Sequence, residues 1–311
     1  MEKTAVSASF LKDIYARMLL TRIVGDCAWG LYEEGQIDFV ANSRGHEAAQ
    51  VGSAICIEVG VDFTLPYYRD LGVVLTIGMT PYEVFRTYLL ARHRQASEGK
   101  PVGIKRSGRS EGQAVHHWGY QKHNMITGPA PVATQILHAA GVAFACKLRK
   151  APAVTVAYCG DGATGEPDFL EGIRFAAQHA LPAIFICEQD CSDTDSFSLR
   201  ELVLPTGLEH RCIDGADVVE IYMAMREAMQ RARDGHGPVL LEVGVVRSNS
   251  GQQGASLSEE VMPGDPLLRC RRRLEELSAW DEEWASELYA RTLREVEQAV
   301  GDALRDVSEM S

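Results

Sequence analysis

The segment GDGATGEPDF, residues 160–169, carries the first chemistry legible in the chain. Gly160, Gly162 and Gly165 fall on the spacing of a dinucleotide-binding turn. Asp161, however, stands where a pyrophosphate would have to pass, and its carboxylate would repel that anion unless a cation intervened. Glu188, Gln189 and Asp190 lie just past the next apolar run. If the two runs are adjacent strands, about 5 Å apart, Asp161 and Asp190 can reach one ion. Three chemistries fit these residues. A metal can hold a diphosphate between the aspartates. A nicotinamide cradle is also consistent, with Glu188, 23 residues past Gly165, as the ribose-binding acid. The plainest is a strand-to-helix turn with a capping aspartate.

The flanking pattern says what must position these groups. AVTVAYC (153–159) and AIFIC (183–187) read as buried strands, and PDFLEGIRFAAQHA between them as a helix with Pro167 near its start. GADVVEIYMAMREAMQRARD is a helix and GPVLLEVGVV a strand. Alternating strand and helix implies a parallel sheet, whose ligands bind beyond the carboxyl ends of the strands. Upstream, helices are expected over 8–35 and 45–59, then a short strand in DFTLPYYRD. TPYEVFRTYLLARH is a helix with Thr80 as N-cap. A polar loop is expected over 95–113, a helix over 133–148, and one amphipathic helical stretch from Pro266 to about Leu304. The fold class is therefore α/β, a central mostly parallel sheet flanked by helices, with helical N- and C-terminal extensions. The expectation is one domain spanning 1–311.

Composition narrows the setting. The 311 residues are 46% hydrophobic and 24% charged, with a formal net charge of −12, which argues against nucleic acid or an anionic membrane as partner. No run of 18 apolar residues appears, so no membrane span is expected. Cys56, Cys146, Cys159 and Cys187 sit in apolar runs, as reduced cysteines of a cytoplasmic protein do. Cys187 and Cys191 are four apart, but no Cys or His pair follows at a zinc-site spacing, so no metal role is expected for them.

Several blocks in order, SRGHEAAQVGSA, PYYRDLGVVLTIGMTPYEVF, PVATQILHAAGVAFACK, GDGATGEPDFLEGIRFAAQHALPAIFICE and IDGADVVEIYMAMREAMQRARDGHGPVLLEV, carry a resemblance over about residues 10–305. The chain resembles the alpha chain of the thiamine-diphosphate-dependent decarboxylase component of 2-oxoacid dehydrogenase complexes, most closely the branched-chain type. The resemblance implies a thiamine-diphosphate-binding fold and a diphosphate held through Mg2+. It implies Asp161, Asp190 and the Ser192 carbonyl as metal ligands. It further implies Tyr68 and Arg69 on the diphosphate, Val132 on the aminopyrimidine, Gly162 and Ala163 near the phosphates, and His117 as the active-site histidine. The implied partners are a beta chain in an α2β2 assembly, a lipoylated acyltransferase and a small 2-oxo acid.

The chain departs from that pattern in three places. Gln189-Asp190 replaces an Asn-Asn pair, and the segment after it is short. Arg247 is kept in the last active-site loop, but Gly251 stands at the family's histidine and Gln252 at a serine that some relatives phosphorylate. Besides the active dehydrogenase component, two readings stay open: a relative that catalyses another carbon–carbon reaction, and a non-catalytic partner of a beta chain.

Overall fold

The computed structural model describes residues 6–97, 118–129, 131–191, 199–203, 206–246 and 264–309. In chain order the helices are α1 Ala8–Glu33, α2 Glu47–Ala54, α3 Leu71–Ile77, α4 Pro81–Ser97, α5 Thr134–Arg149, α6 Pro167–Gln178, α7 Leu199–Val203, α8 Val218–Arg233, α9 Pro266–Glu276 and α10 Glu282–Glu309. The strands are β1 Phe63–Leu65, β2 Thr155–Gly160, β3 Ala183–Asp190, β4 Glu209–Asp214 and β5 Val239–Val245. They form one parallel sheet in the order β1-β2-β3-β5-β4. All carboxyl ends therefore share one edge of the sheet.

Alternation along the strands feeds two cores. Val156, Tyr158, Ile184, Ile186, Leu241 and Val243 face the core built with α1, α2, α3 and α8. Ala157, Cys159, Phe185, Cys187 and Leu240 face the second core, under α5 and α6. Strands buried on both faces read as continuous apolar runs rather than alternating ones. The α5–α6 contact is close because Gly172 has no side chain; a Cβ there would meet the Ile136 backbone at 3.0 Å. At the start of α4, Thr80 and Glu83 cap reciprocally: the Glu83 N–H donates to Thr80 Oγ1 (3.2 Å), and the Thr80 N–H donates to Glu83 Oε2 (2.8 Å).

The differences from expectation have physical causes. The helix expected over 45–59 stops at Ala54. The C-terminal stretch is two helices, because the chain turns between Leu277 and Asp281 with Ser278 at φ 53°. The loop expected over 95–113 starts no earlier than residue 98, since α4 runs to Ser97. Helix α3 and strand β4 were not foreseen; β4, EHRCID, is a polar edge strand in which Ile213 alone is fully buried, and such edges carry charge by design against pairing. All eight cysteines are free, with Cys146, Cys159 and Cys187 buried and Cys56 half-buried. No described helix is long and apolar enough to cross a membrane.

A buried ionic triad fixes the N-terminal helix to the body. Arg22 on α1 is 5% exposed, and its guanidinium binds Glu47 at the start of α2 and, at 3.0 Å, Asp265 at the start of α9. Asp265 also accepts from the Leu267 N–H at 2.8 Å, capping α9. Removing the cation would leave two buried carboxylates facing each other. Arg22→Met is expected to lower unfolding free energy by about 3–5 kcal/mol, read as the urea midpoint at constant m. Adding Glu47→Gln should recover part of the loss. A loss below about 1 kcal/mol would mean that the triad is not a structural tie.

Candidate active site

At the carboxyl edge of the sheet, a cleft of about 210 Å3 is lined by Tyr68, Arg69, Val132, Asp161, Gly162, Ala163 and Asp190, among others. Seven residues singled out from the sequence thus meet in one place. His117 and Ser192 lie outside the described residues, as do His116, Arg247, Gly251 and Gln252.

Strand register brings the two aspartates together. Gly160 on β2 pairs with Glu188 on β3, so the turn after β2 lies beside Asp190. Asp161 Oδ1 accepts from the Gly162 N–H (2.7 Å), and Oδ2 accepts from the Asp190 N–H (3.2 Å). The Asp161 carboxylate is exposed to the cleft. It does not cap α6, whose N-cap is Glu166, which removes the capping reading. The nicotinamide reading fails on two other counts. A Cβ on Gly165 would meet no described atom within 4 Å, whereas the third glycine of a dinucleotide turn serves close helix–strand packing. Glu188, the candidate ribose acid, is 2% exposed and already bound from three sides.

Those three bonds organise the floor of the cleft. Glu188 Oε2 accepts from the Tyr67 hydroxyl (2.6 Å) and from Gln50 Nε2 (3.3 Å), and lies 2.7 Å from His46 Nδ1. Gln50 Nε2 also donates to the Arg69 carbonyl (3.1 Å), and Gln50 Oε1 accepts from the Gly72 N–H (2.8 Å). From the other side, Trp118 Nε1 donates to the Tyr68 carbonyl at 3.1 Å. The backbone of Tyr68-Arg69 is therefore held at both carbonyls, while the Tyr68 ring stays 36% exposed. The Arg69 guanidinium stacks near that ring, 5.5 Å from its centroid, and donates to the Asn42 carbonyl at 2.5 Å.

The N-terminus of α5 lines the cleft through Pro131, Val132 and Gln135. Thr134 Oγ1 donates to Asp168 Oδ2 at 2.9 Å, joining the two helix starts. Val132, 51% exposed, precedes Ala133, whose φ of 71° turns the chain into α5. Helix starts present unpaired N–H groups that favour an anion. The cleft thus gathers the Asp161 and Asp190 carboxylates, Arg69 and the N-terminus of α5. That donor set suits a hard divalent cation bridging to a phosphate group.

His46, Gln50 and Trp118 were not assigned from the sequence. The available signal was the spacing of His46 and Gln50, four apart in a helical segment rich in small residues, which places two polar groups on one face.

Asp70 is fully buried, and its Oδ2 accepts from the Tyr67 N–H at 2.7 Å. Burial, then the nearby Glu188 charge, raises its pKa well above the usual carboxylate value. The sign follows directly. Below the unfolded pKa, about 4, both states are protonated and nothing is lost. As pH rises toward the folded pKa, the unfolded chain releases a proton that the folded chain keeps, so stability falls. Asp70→Asn keeps an acceptor for Tyr67 and removes this slope. Its stability relative to wild type should therefore increase as pH rises above about 4, read in urea melts. A difference independent of pH would contradict this.

Comparison with known proteins agrees with the layout. The profile of the family described as "Dehydrogenase E1 component" matches residues 15–190 and 207–309. The chain is 32% identical over 307 residues to a 2-oxoisovalerate dehydrogenase subunit alpha from Bacillus subtilis, covering 94% of this chain and 89% of that one. It is 29% identical over 310 residues to a pyruvate dehydrogenase E1 component subunit alpha from Staphylococcus aureus, covering 94% and 78%. A Staphylococcus epidermidis protein of the same description is 28% identical over 310 residues. The family profile spans the whole cleft-forming part of the sheet, and the chain belongs to the dehydrogenase E1 component family.

Proposed function

We propose that this chain is the alpha subunit of a thiamine-diphosphate- and Mg2+-dependent 2-oxoacid dehydrogenase of the branched-chain type, working with a beta chain. The observation that carries the reading is the meeting of Asp161 and Asp190 at adjacent strand ends, with Arg69 and the N-terminus of α5 in the same cleft. In this reading Asp161 and Asp190, with the Ser192 carbonyl, hold Mg2+. Tyr68, Arg69 and the Gly162–Ala163 backbone hold the diphosphate, and Val132 meets the aminopyrimidine. The fit has a structural mark: a Cβ at Gly162 would meet no described atom within 4 Å, so glycine there serves the open cleft rather than packing. Bound there, the cofactor supplies a nucleophilic carbon and an electron sink for cleaving a 2-oxo acid. The chain's own part is to neutralise and orient the diphosphate and to exclude water from that end. His117 is assigned the acid–base role on the substrate side, with Gly251 offering no such group.

The partner reading has its own support in α5. One face, with Ile136, Ala139, Ala140, Ala143 and Cys146, is buried within the chain. The other leaves Leu137 40% and Leu148 68% exposed, beside a Gly141 whose Cβ would meet no described atom within 4 Å. The helix thus carries apolar residues on both faces, one of them buried within the chain and the other exposed. An exposed apolar helix face with close backbone access suits a subunit contact. An α2β2 assembly, a lipoylated acyltransferase as acceptor and a cytoplasmic setting complete the proposal.

Two experiments test it. With its beta chain, the protein should reduce an artificial electron acceptor on addition of a branched 2-oxo acid. Asp161→Ala should weaken cofactor binding by at least about 100-fold, while Asp190→Asn should be tolerated, because an amide oxygen replaces the carboxylate. Equal damage from both variants would mean that the second ligand is wrongly assigned. Separately, Leu137→Asp with Leu148→Asp should leave the melting temperature of the chain unchanged but abolish co-purification with the beta chain. Undiminished assembly would move the interface elsewhere.

A further inference from the structure

Strands β4 and β5 carry a second group of donor side chains, which the cleft does not use. His210 and Cys212 are two apart on β4 and so share a face. Glu242 on β5 pairs with Cys212 in register, which puts it on the same face. His210 Nε2 lies 2.7 Å from Glu242 Oε2, Cys212 Sγ lies 3.5 Å from that oxygen, and Sγ lies 3.9 Å from Nε2. All three donor atoms fall within 4.8 Å of one another.

We propose that His210, Cys212 and Glu242 form a binding site for a zinc-type divalent cation. Nitrogen, sulfur and carboxylate ligands at about 2.0–2.3 Å in a tetrahedron stand about 3.3–3.7 Å apart. The two separations involving sulfur are already within a few tenths of an ångström of that range. The third, 2.7 Å, is closed by the hydrogen bond between imidazole and carboxylate, and opens when an ion replaces the shared proton. A plain His–Glu pair would not require a thiol beside it. The mixed donor set favours zinc over magnesium or calcium, which prefer oxygen alone.

The surroundings suit an ion. His210 and Glu242 side chains are 8% and 13% exposed, so their geometry is held, while Cys212 is exposed and approachable. An opening of about 430 Å3 lined by Arg200, Val203, Leu208, His210 and Cys212 leads to the triad. Binding converts the Cys212 thiol to a thiolate and releases its proton to solvent, while the imidazole proton that bridged Nε2 and Glu242 is relocated to Nδ1, so the imidazole stays neutral. Thiolate and carboxylate then carry two negative charges, which the divalent ion balances, with Arg200 at the opening. The ion would staple the edge strand β4 to β5. The nearest other exposed thiol is Cys191, which lies over Gly244, two residues on from Glu242: a Cβ on Gly244 would be 2.8 Å from Cys191 Sγ. The site stands on these residues alone and does not depend on the proposed activity.

The test uses the full chain, stripped with chelator and titrated with Co2+ in excess Mg2+, which occupies oxygen-only donors. A thiolate-to-cobalt charge-transfer band should saturate at one ion per chain and disappear on adding Zn2+. Cys212→Ser should abolish the band, Cys191→Ser should keep it, and His210→Ala should weaken Zn2+ binding at least about tenfold. In the wild-type chain, Zn2+ should also protect Cys212 from alkylation, read by mass spectrometry, which needs no variant. No saturable band, a band that survives Cys212→Ser, or Cys212 alkylated equally with and without Zn2+ would overturn the proposal.

Discussion

The site depends on one buried carboxylate. Glu188 stands at the end of β3 with its Oε2 bound by Tyr67 and Gln50 and close to His46, groups from the β1–α3 turn and from α2. A polar group taken out of water costs free energy unless it is partnered, so the three contacts hold one another in place. Their effect is positional. Tyr67 sets the start of the Tyr68-Arg69 pair, Gln50 holds its second carbonyl, and Glu188 itself is two residues from Asp190. The same carboxylate was the candidate ribose acid in the nicotinamide reading, and its engagement is what excludes that reading.

Charge distribution around this network bears on the cation proposed for the cleft. Burial, then the nearby Glu188 charge, pushes the Asp70 carboxyl well above its usual range, which disfavours a further charge there. Asp161 and Asp190 lie at the open end, where Asp161 is exposed and receives the Asp190 N–H. Arg69 spends one donor on the Asn42 carbonyl, leaving other donors of its planar fork for an anion. Two neighbouring carboxylates and an anion-binding arginine are mutually consistent when a divalent ion lies between carboxylate and phosphate.

Much of this was legible in the sequence because the sheet is parallel and buried. Continuous apolar runs marked β2, β3 and β5, and the topological rule for such sheets put their following residues at one edge. That is why Asp161 and Asp190 could be placed together from the pattern, whereas Tyr68, Arg69 and Val132 were named from the family resemblance; all five line the cleft. The less legible parts are those set by packing rather than pattern. Strand β4 has too little buried surface to show alternation, so the metal-ligand geometry of His210, Cys212 and Glu242 was invisible: its ligands come from two strands in register, not from one spaced motif. The break at Ser278 rests on a single left-handed residue. His46 and Gln50 gain meaning only when α2 docks against the end of β3.

The most direct test of the account is the affinity for thiamine diphosphate with and without a divalent ion. Trp118, 1% exposed and bonded to the Tyr68 carbonyl in the cleft wall, provides a fluorescence reporter. Titrating the chain with its beta partner should show tight, saturable quenching in Mg2+ and a loss of at least about 100-fold in affinity after complete chelation. Equal affinity in both conditions would contradict the claim that Asp161 and Asp190 hold the diphosphate through a metal.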